Sequence, residues 1–284
     1  DVHCLTVDLG NLSDLESAKK RGIEAGALSV NVIDAKEDFL NYFVFPAMQA
    51  NALYQGQYPL ATALGRPLIA KLLVDKAREF EATSVAHGCT GKGNDQVRLD
   101  VAINTLAPDL NIVGTARENE MSRDVAIDYA KKHGIPIKQT AASPYSTDEN
   151  LWGRSVECGE LEDPWAEPPS DVWLWTAEPD SAPDKPAIIE IGFENGILIS
   201  LDGENLEAVE LVQNLSNIGG QHGIGRIDMV EDRLVGIKSR EVYEAPAATI
   251  LITAHKSLEQ LTLSRSQIRM KEQIAQEYAD LIYN

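Results

Sequence analysis

The densest group of residues that could do chemistry is a glycine-rich segment, HGCTGKGNDQVR at positions 87–98, between a predicted strand and a predicted helix. Its three glycines allow the backbone to approach a ligand closely, and the amino end of the following helix offers unpaired N–H groups to an anion. A Walker A loop requires Ser or Thr after its lysine, where this chain has Gly93. The pattern therefore predicts an anion-binding site of another kind; the alternative is a glycine-rich turn with an Asn or Asp cap.

Two later segments combine hydroxyls, carboxylates and cations. SPYSTDENLWGRS at 143–155 suits a zwitterionic amino-acid ligand, although Ser146 or Thr147 could equally cap a short helix. GIGRID at 223–228, with the charged stretch 231–246 after it, favours a loop that contacts a ligand. Interleaved charges of this kind more often form solvated faces and salt bridges, so both interpretations of each segment stay open here.

Several common site types are excluded by spacing. The five histidines show neither H-x-x-x-H spacing nor nearby paired cysteines, so a structural zinc site is not expected. No G-x-S-x-G segment marks a serine hydrolase. Cys89 is a candidate nucleophile, but a single cysteine in a turn is more often a small packed residue.

Composition restricts the partners. The chain has 284 residues, with 25 Lys and Arg against 44 Asp and Glu, and a formal net charge of −19. Such a surface repels phosphate backbones, so we expect no nucleic-acid partner. No apolar run approaches the ~20 residues of a membrane span, so no membrane association is expected. Three scattered cysteines fit a reducing cytoplasm rather than a disulfide framework.

The elements that must position these residues alternate between strand and helix over the first 136 residues. Strands are predicted at 2–9, 27–33, 83–86 and 110–115, and helices at 14–25, 37–53, 60–80, 95–106 and 123–133. This alternation predicts an α/β fold with a parallel sheet covered on both faces. Ligands of such folds bind beyond the carboxyl ends of the strands, where the segment after strand 83–86 lies.

From about Lys138 the pattern becomes that of a second, α+β domain. Asn195-Gly196 between apolar runs predicts a hairpin of 187–193 with 197–201. A helix at 205–218, short strands around 227–237 and a long helical stretch from about 249 follow.

An acidic arm, residues 160–186, precedes the predicted hairpin. It holds eight acidic residues and six prolines, a composition that excludes one regular element and predicts an extended surface segment. We expect Trp165, Trp173 and Trp175 to hold this arm against the protein rather than to stack on a base.

In this order, the segments resemble the blocks of one known family. HGxTGKGNDQVR at 87–98 is a near-signature of the argininosuccinate synthases, and YPLATALGRP at 58–67, residues 146–151 and residues 223–246 are similar to other blocks of that family. The resemblance spans essentially all 284 residues. It implies a parallel-sheet nucleotide-binding domain at 1–136, of the ATP-pyrophosphatase type, and an α+β synthetase domain at 137–284.

The resemblance also implies a cytoplasmic, homotetrameric ligase of arginine biosynthesis. The ureido oxygen of citrulline would attack the α-phosphorus of ATP, which gives a citrullyl-adenylate and pyrophosphate, and the amine of aspartate would then displace AMP. This chemistry needs no protein nucleophile, so no catalytic side chain and no protein metal ligand are assigned. We expect catalysis to depend on positioning and on neutralising phosphate charge, with Mg²⁺ present.

Position by position, the resemblance implies three sets of contacts. Arg98 suits the citrulline carboxylate because a guanidinium offers two parallel donors. Ala63 stands where the family often has a serine for citrulline. The ATP contacts would be Val7, Gly88, Cys89, Thr90, Gly91, Lys92, Gly93 and Asn94; the aspartate contacts Thr90, Asn94 and Asp95; and the citrulline contacts Tyr58, Asn94, Arg98, Ser146, Ser155, Glu231 and Tyr243.

Two features of the family are not found in this sequence. They are the S-G-G-x-D-[ST] pyrophosphate loop and the carboxyl-terminal helix used in tetramer assembly. The chain begins in a strand without an initiator Met and stops after a helical pattern, so we expect the middle of a longer enzyme, with poor turnover on its own. The alternative is a non-catalytic relative that binds nucleotide or amino acid after losing the loop. Another ATP-pyrophosphatase ligase, such as an amidotransferase or a tRNA-modifying enzyme, is the third candidate, and the net charge disfavours tRNA.

Overall fold

The computed structural model describes residues 1–10, 15–91, 93–135 and 145–284. In the first half, β1 (His3–Asp8) pairs in parallel with β2 (Ser29–Asp34), and β3 (Ser84–His87) pairs in parallel with β4 (Asn111–Gly114). All four strands lie where the sequence predicts them. Among the described residues they form two separate two-stranded sheets rather than one, because no described strand bridges the two pairs.

Seven helices of this half lie within the described residues. The single helix predicted at 37–53 is wrong, because a π-helical turn (Leu40–Val44) interrupts it and its last part ends at Gln49. Pro46 follows this turn and lacks the N–H that would continue an α-helical ladder. The seven are α1 (Leu15–Glu24), α2 (Lys36–Phe39), α3 (Phe45–Gln49), α4 (Ala61–Glu79), α5 (Asp95–Leu106), α6 (Thr115–Glu118) and α7 (Arg123–Lys132).

The second half is built on antiparallel sheets. A four-stranded sheet has the order β10 (Arg226–Asp232), β11 (Lys238–Glu244), β6 (Gly153–Glu157), β5 (Ser146–Asn150). The helix that Ser146 or Thr147 could have capped is therefore wrong, since both residues lie in a strand that pairs with β6. Residues 136 and 137, at the predicted domain boundary, lie outside the described ranges.

The predicted hairpin is confirmed. β7 (Ile191–Glu194) and β8 (Ile197–Leu201) pair around Asn195 and Gly196, both with positive φ as a tight hairpin turn requires, and a short β9 (Glu204–Asn205) completes this sheet. The predicted long helical stretch is two helices. After α8 (Ala208–Gln221) come α9 (Pro246–Thr262) and α10 (Arg265–Tyr283), separated at Leu263 and Ser264, whose side chain caps α10.

One apolar core joins the two halves. Phe39 and Leu64 from the first half pack in the same buried cluster as Trp152, Leu211 and Leu251 from the second. Helix α4 lies at its centre, in contact with α5, α10, β5 and β6. Because α4 contacts elements of both halves, it can place side chains from both around one site. Among the described helices, none combines the length and apolar character needed to cross a bilayer.

The acidic arm contacts the protein in both of its halves, and in the first half Arg240 donates to the carbonyls of Pro164 and Ala166. The carboxylate of Glu244, fully buried, accepts hydrogen bonds from the backbone N–H groups of residues 174–176, and the ring of Trp173 lies 4.7 Å below the guanidinium of Arg226. Trp165 is 94% exposed, so the expectation that it holds the arm in place is wrong. Three short 3₁₀ turns interrupt the arm, as its prolines require.

Candidate functional site

A polar cavity of about 250 Å³ opens between α4, the amino end of α5, the four-stranded sheet and the end of α10. Five carboxylates and three guanidinium groups line it, which is an unusual density of charge for a small cavity. Its wall consists of Tyr58, Thr62, Arg66, Gly93, Asn94, Asp95, Arg98, Ser146, Thr147, Asp148, Ser155, Glu157, Glu231, Arg233, Glu241, Tyr243 and Tyr283.

Helix α4 supplies one wall. Thr62 and Arg66 lie four residues apart and therefore on one face of the helix. Leu60, just before the helix, has a left-handed backbone (φ 64°), which costs about 1–2 kcal/mol outside glycine. This turn places the Tyr58 hydroxyl 2.9 Å from the N–H of Thr62, which donates to it. Arg66 donates to Asp95 at 2.7 Å and to Asp148 at 2.5 Å, so it ties α5 to β5 across the cavity.

The first turn of α5 supplies three polar side chains. The Asn94 amide donates to the Tyr283 hydroxyl at 2.8 Å and accepts from the N–H of Leu234 at 3.1 Å, which fixes its orientation. Burial raises the pKa of Asp95, but the charges of Arg66 and Arg98 outweigh burial and lower this pKa below its ordinary value. Asp95 is therefore ionised at neutral pH.

Strands β5 and β6 place hydroxyls opposite these charges. Asp148 pairs with Ser155, and Ser146 pairs with Glu157, so alternate residues of both strands face the cavity. The Ser155 hydroxyl lies 3.3 Å from that of Thr62. The β5–β6 strand pair therefore presents both hydroxyls and two carboxylates, those of Asp148 and Glu157, to the cavity.

The β10–β11 hairpin supplies a second cluster of charge. Arg233 donates to Glu157 and Glu241, and Glu241 is 3% exposed. Burial and the nearby charge of Glu157 raise the pKa of Glu241 to about 7, although Arg233 opposes the shift. This carboxylate therefore changes charge close to neutral pH.

Glu231 and Arg98 are each incompletely paired. Glu231 is 3% exposed and accepts hydrogen bonds from the hydroxyls of Tyr243 and Tyr283, but no cation of the described residues forms an ion pair with it. Arg98 donates through Nη1 to Asp95 and through Nε to the Tyr283 carbonyl, and its buried Nη2 has no hydrogen-bond partner among the described residues. A buried charge or donor without a partner is costly, so both groups favour a ligand that supplies one.

The glycine-rich loop lies beside this cavity. Val7 lies near the end of β1, and Gly88 to Gly91 follow β3, but none of them lines the cavity wall; Gly93 and Asn94 do. The loop is supported from behind by Gln96, which donates to the Gly91 carbonyl at 2.7 Å. A side chain on Gly88 would meet no neighbour within 4 Å, so a ligand has room there.

Burial raises the pKa of the Cys89 thiol to about 11. It is therefore protonated at neutral pH and unsuited to be a nucleophile. Lys92 lies outside the described residues.

All seven residues expected to contact citrulline line the one cavity. Of the residues expected to contact aspartate, Asn94 and Asp95 line it and Thr90 does not, although the Thr90 carbonyl accepts from the N–H of Gly93 at 3.4 Å. Ala63 is fully buried in the core, away from the cavity, and its neighbour Thr62 presents a hydroxyl to the cavity instead.

Sequence reasoning assigned no role to several cavity residues. Thr62 and Arg66 fall inside a segment that the family resemblance singles out, and Asp148, Arg233 and Glu241 fall inside the two charged segments, so a local signal existed for them. Tyr283 had none. Its distance from Asn94 in the sequence, 189 residues, explains why only the folded chain reveals it.

Known proteins resemble this chain over its whole length. The sequence pattern described as the arginosuccinate synthase N-terminal HUP domain matches residues 1–136, and that of the arginosuccinate synthase C-terminal domain matches residues 145–284. Three similar proteins carry the name argininosuccinate synthase. Those of Rubrobacter xylanophilus and Dehalococcoides mccartyi are 56% and 52% identical over all 284 residues, which cover 69% and 70% of their lengths. That of Oceanobacillus iheyensis is 55% identical over 283 residues, 68% of its length. The chain belongs to the argininosuccinate synthase family.

Proposed function

We propose that this chain carries the site at which citrulline and aspartate are joined to form argininosuccinate, with ATP converted to AMP and pyrophosphate. In the first step the ureido oxygen of citrulline displaces pyrophosphate from the α-phosphorus of ATP. In the second the aspartate amine attacks the ureido carbon, AMP leaves, and the amine loses a proton. Family membership and the contents of the cavity both support this reaction.

One observation carries the proposal for citrulline. Its α-ammonium and α-carboxylate are opposite charges on one carbon, and the cavity holds a carboxylate without a cation, Glu231, and a guanidinium with a free donor, Arg98. Both groups contact Tyr283, because its hydroxyl donates to Glu231 and its carbonyl accepts from Arg98. The two groups therefore lie within reach of one small ligand. The hydroxyls of Ser146, Ser155 and Tyr58 then remain for the neutral ureido end.

Aspartate would lie at the amino end of α5. Asp95 is ionised and can accept its ammonium, while Asn94 and Thr90 can donate to its carboxylates. Arg66 neutralises part of the charge of Asp95, which keeps two bound amino acids compatible with so acidic a cavity. This arrangement places the aspartate amine near the cavity that would hold the ureido group.

ATP would lie along the glycine-rich loop, with Val7, Gly88 to Gly91 and Lys92 beside it. Helix α5 begins just after this loop, and its free N–H groups favour phosphate oxygens. No group of three or more His, Cys, Asp or Glu side chains within the described ranges is placed to hold a metal. We propose that Mg²⁺ arrives with the nucleotide phosphates, which commonly supply several of its ligands.

The protein's own contribution would be positional. The side chains hold two amino acids and exclude water, and no described side chain is required to bond covalently to substrate. We also propose a division into a nucleotide-binding domain with one parallel sheet at 1–136 and a synthetase domain at 137–284, a homotetramer in the cytoplasm, and no nucleic-acid or membrane partner.

The test is product formation with each substrate omitted in turn. Turnover by this chain alone is expected to be slow, so the products are measured by chromatography after a long incubation with ATP, Mg²⁺, citrulline and aspartate. AMP, pyrophosphate and argininosuccinate should then appear in equal amounts. Omission of citrulline should abolish all three. AMP release that persists without citrulline would contradict the proposed reaction, and citrulline binding without turnover would favour a non-catalytic relative.

A further inference from the structure

Tyr283, at the end of α10, makes polar contacts with three residues expected to bind substrate. Its hydroxyl accepts from the Asn94 amide at 2.8 Å and donates to Glu231, and its carbonyl accepts from Nε of Arg98 at 2.8 Å. The side chain is 1% exposed and lines the cavity. No other described residue joins these three side chains directly.

The hydroxyl is the central member of a continuous hydrogen-bond chain. The N–H of Leu234 donates to Asn94, Asn94 donates to Tyr283, and Tyr283 donates to Glu231. Tyr243 donates to the other oxygen of Glu231. Because each member has a fixed donor and acceptor direction, the chain sets which lone pairs of Glu231 remain for a ligand.

The ring of Tyr283 has a separate, structural role. It stacks on Tyr54 with centroids 3.6 Å apart and planes at 3°, and the guanidinium of Arg98 lies 4.8 Å from its centroid. These contacts stabilise the end of α10 whether or not the hydroxyl is present. A phenylalanine at this position would keep them and remove only the hydrogen bonds.

We propose that Tyr283 is a positioning residue for citrulline, which acts by fixing the carboxylate of Glu231 and the amide of Asn94; this rests on the proposed function. Without the hydroxyl, Glu231 is held by Tyr243 alone and can turn away from the ligand ammonium. Asn94 loses the acceptor that orients its amide. Citrulline binding therefore weakens most, because citrulline is expected to contact both Glu231 and Asn94, while ATP, which shares only Asn94, is affected much less.

The experiment compares Tyr283→Phe with Tyr278→Phe. Tyr278 lies on the same helix but lines a different, apolar groove, so its variant is a matched control for loss of a hydroxyl from α10. We expect Tyr283→Phe to raise the KM and the calorimetric Kd for citrulline about tenfold, the effect of losing a hydrogen bond to a charged group. The KM for ATP should change by a much smaller factor than the KM for citrulline, and the melting temperature should match that of the control.

A double-mutant cycle with Glu231→Gln separates positioning from a general structural role. If Tyr283 acts through Glu231, the double variant should bind citrulline little worse than Glu231→Gln alone. Additive losses, equal losses for citrulline and ATP with a lowered melting temperature, or a Tyr283→Phe protein equal to the control would each overturn the role of Tyr283 and leave the proposed reaction standing. A wild-type protein that neither binds citrulline nor forms argininosuccinate would overturn both.

Discussion

At the scale of single residues, the three arginines of the acidic cavity have different roles. Arg66 and Arg233 each pair with two carboxylates, and they neutralise charge that would otherwise repel an incoming ligand. Arg98 pairs with Asp95 and the Tyr283 carbonyl, which leaves one of its nitrogens free. The first two therefore stabilise the empty cavity, and the third is the one prepared for an anion.

Arg98→Lys tests this difference. A lysine keeps the positive charge but loses the planar fork that can serve Asp95, Tyr283 and a ligand carboxylate together. We expect the KM for citrulline to rise about tenfold to a hundredfold, since one or two charge-assisted hydrogen bonds are lost, with a much smaller change for ATP. Arg78→Lys, in an exposed pair with Asp109, is the control and should change neither constant. Equal citrulline constants for the two variants would exclude Arg98 from the citrulline site.

Glu241 predicts a pH dependence of stability. Its pKa rises from its ordinary 4.5 to about 7 in the folded protein, chiefly through burial. Between these values the folded state keeps a proton that the unfolded chain has released, so the free energy of unfolding falls as the pH rises through this window. Glu241→Gln removes this loss.

The melting temperature of Glu241→Gln minus that of wild type should therefore increase from about pH 5 to about pH 8. Glu277→Gln, at an exposed position of α10, should show a difference that does not change with pH. A constant difference for Glu241→Gln as well would mean that this carboxylate titrates normally.

At the scale of elements, a buried carboxylate at the end of β11 holds residues 174–176 of the acidic arm. Glu244 accepts from Arg154 at 2.8 Å, from three consecutive backbone N–H groups and from the Thr176 hydroxyl. None of residues 160–186 belongs to a β-strand, so the arm is held by these hydrogen bonds rather than by strand pairing. Because β11 also carries Tyr243 and Glu241, the same strand connects the arm to the cavity.

Glu244→Gln should destabilise the protein by about 3–5 kcal/mol, because it removes the close charged partner of the buried Arg154 and leaves only the carboxylate of Glu149, 3.9 Å from Nε. The free energy of unfolding in urea measures this, and proteolysis within residues 160–186 should accelerate. Glu178→Gln, which breaks an exposed pair of the same arm with Arg226, should cost no more than about 1 kcal/mol. Similar losses for the two variants would show that Glu244 is not the main attachment of the arm.

At the scale of the whole molecule, the elements that sequence predicts are those whose signals are local. The strand–helix alternation, the bounds of α5 and the turn at Asn195 and Gly196 depend on neighbouring residues only. Strand β5 was missed because Ser146–Asn150 is polar, and its strand character comes from pairing with β6.

The candidate site likewise has features that local sequence signals predict and features that they do not. The resemblance to a family brings together the residues of four distant segments, and nine of the predicted contact residues line one cavity. Two features of the site depend on packing between segments that are far apart in the sequence. They are the missing partner of one of these groups and the contacts by which Tyr283 joins Asn94 to Glu231. No spacing in the sequence carries that information.

The net charge of −19 also acts on the molecule as a whole. Repulsion among 44 carboxylates opposes folding, and at low ionic strength it reaches across the molecule, since the Debye length at about 0.01 M salt is roughly 30 Å. Salt screens interactions between distant charges more than interactions between charges in contact. The ion pairs of the protein join neighbouring groups, and those in the cavity are partly or wholly buried, so added salt should weaken the overall repulsion more than it weakens these pairs.

We therefore expect the melting temperature to rise by a few degrees between about 0.01 M and about 0.3 M NaCl, the equivalent of roughly 1–2 kcal/mol for a protein of this size. A triple variant, Glu167→Gln, Asp184→Asn and Glu194→Gln, removes three exposed carboxylates and should melt higher at low salt and respond less to added salt. Choline chloride in place of NaCl should give the same rise, because screening depends on ionic strength rather than on the cation. A melting temperature that falls with salt would show that attractive pairs, not net repulsion, dominate the surface.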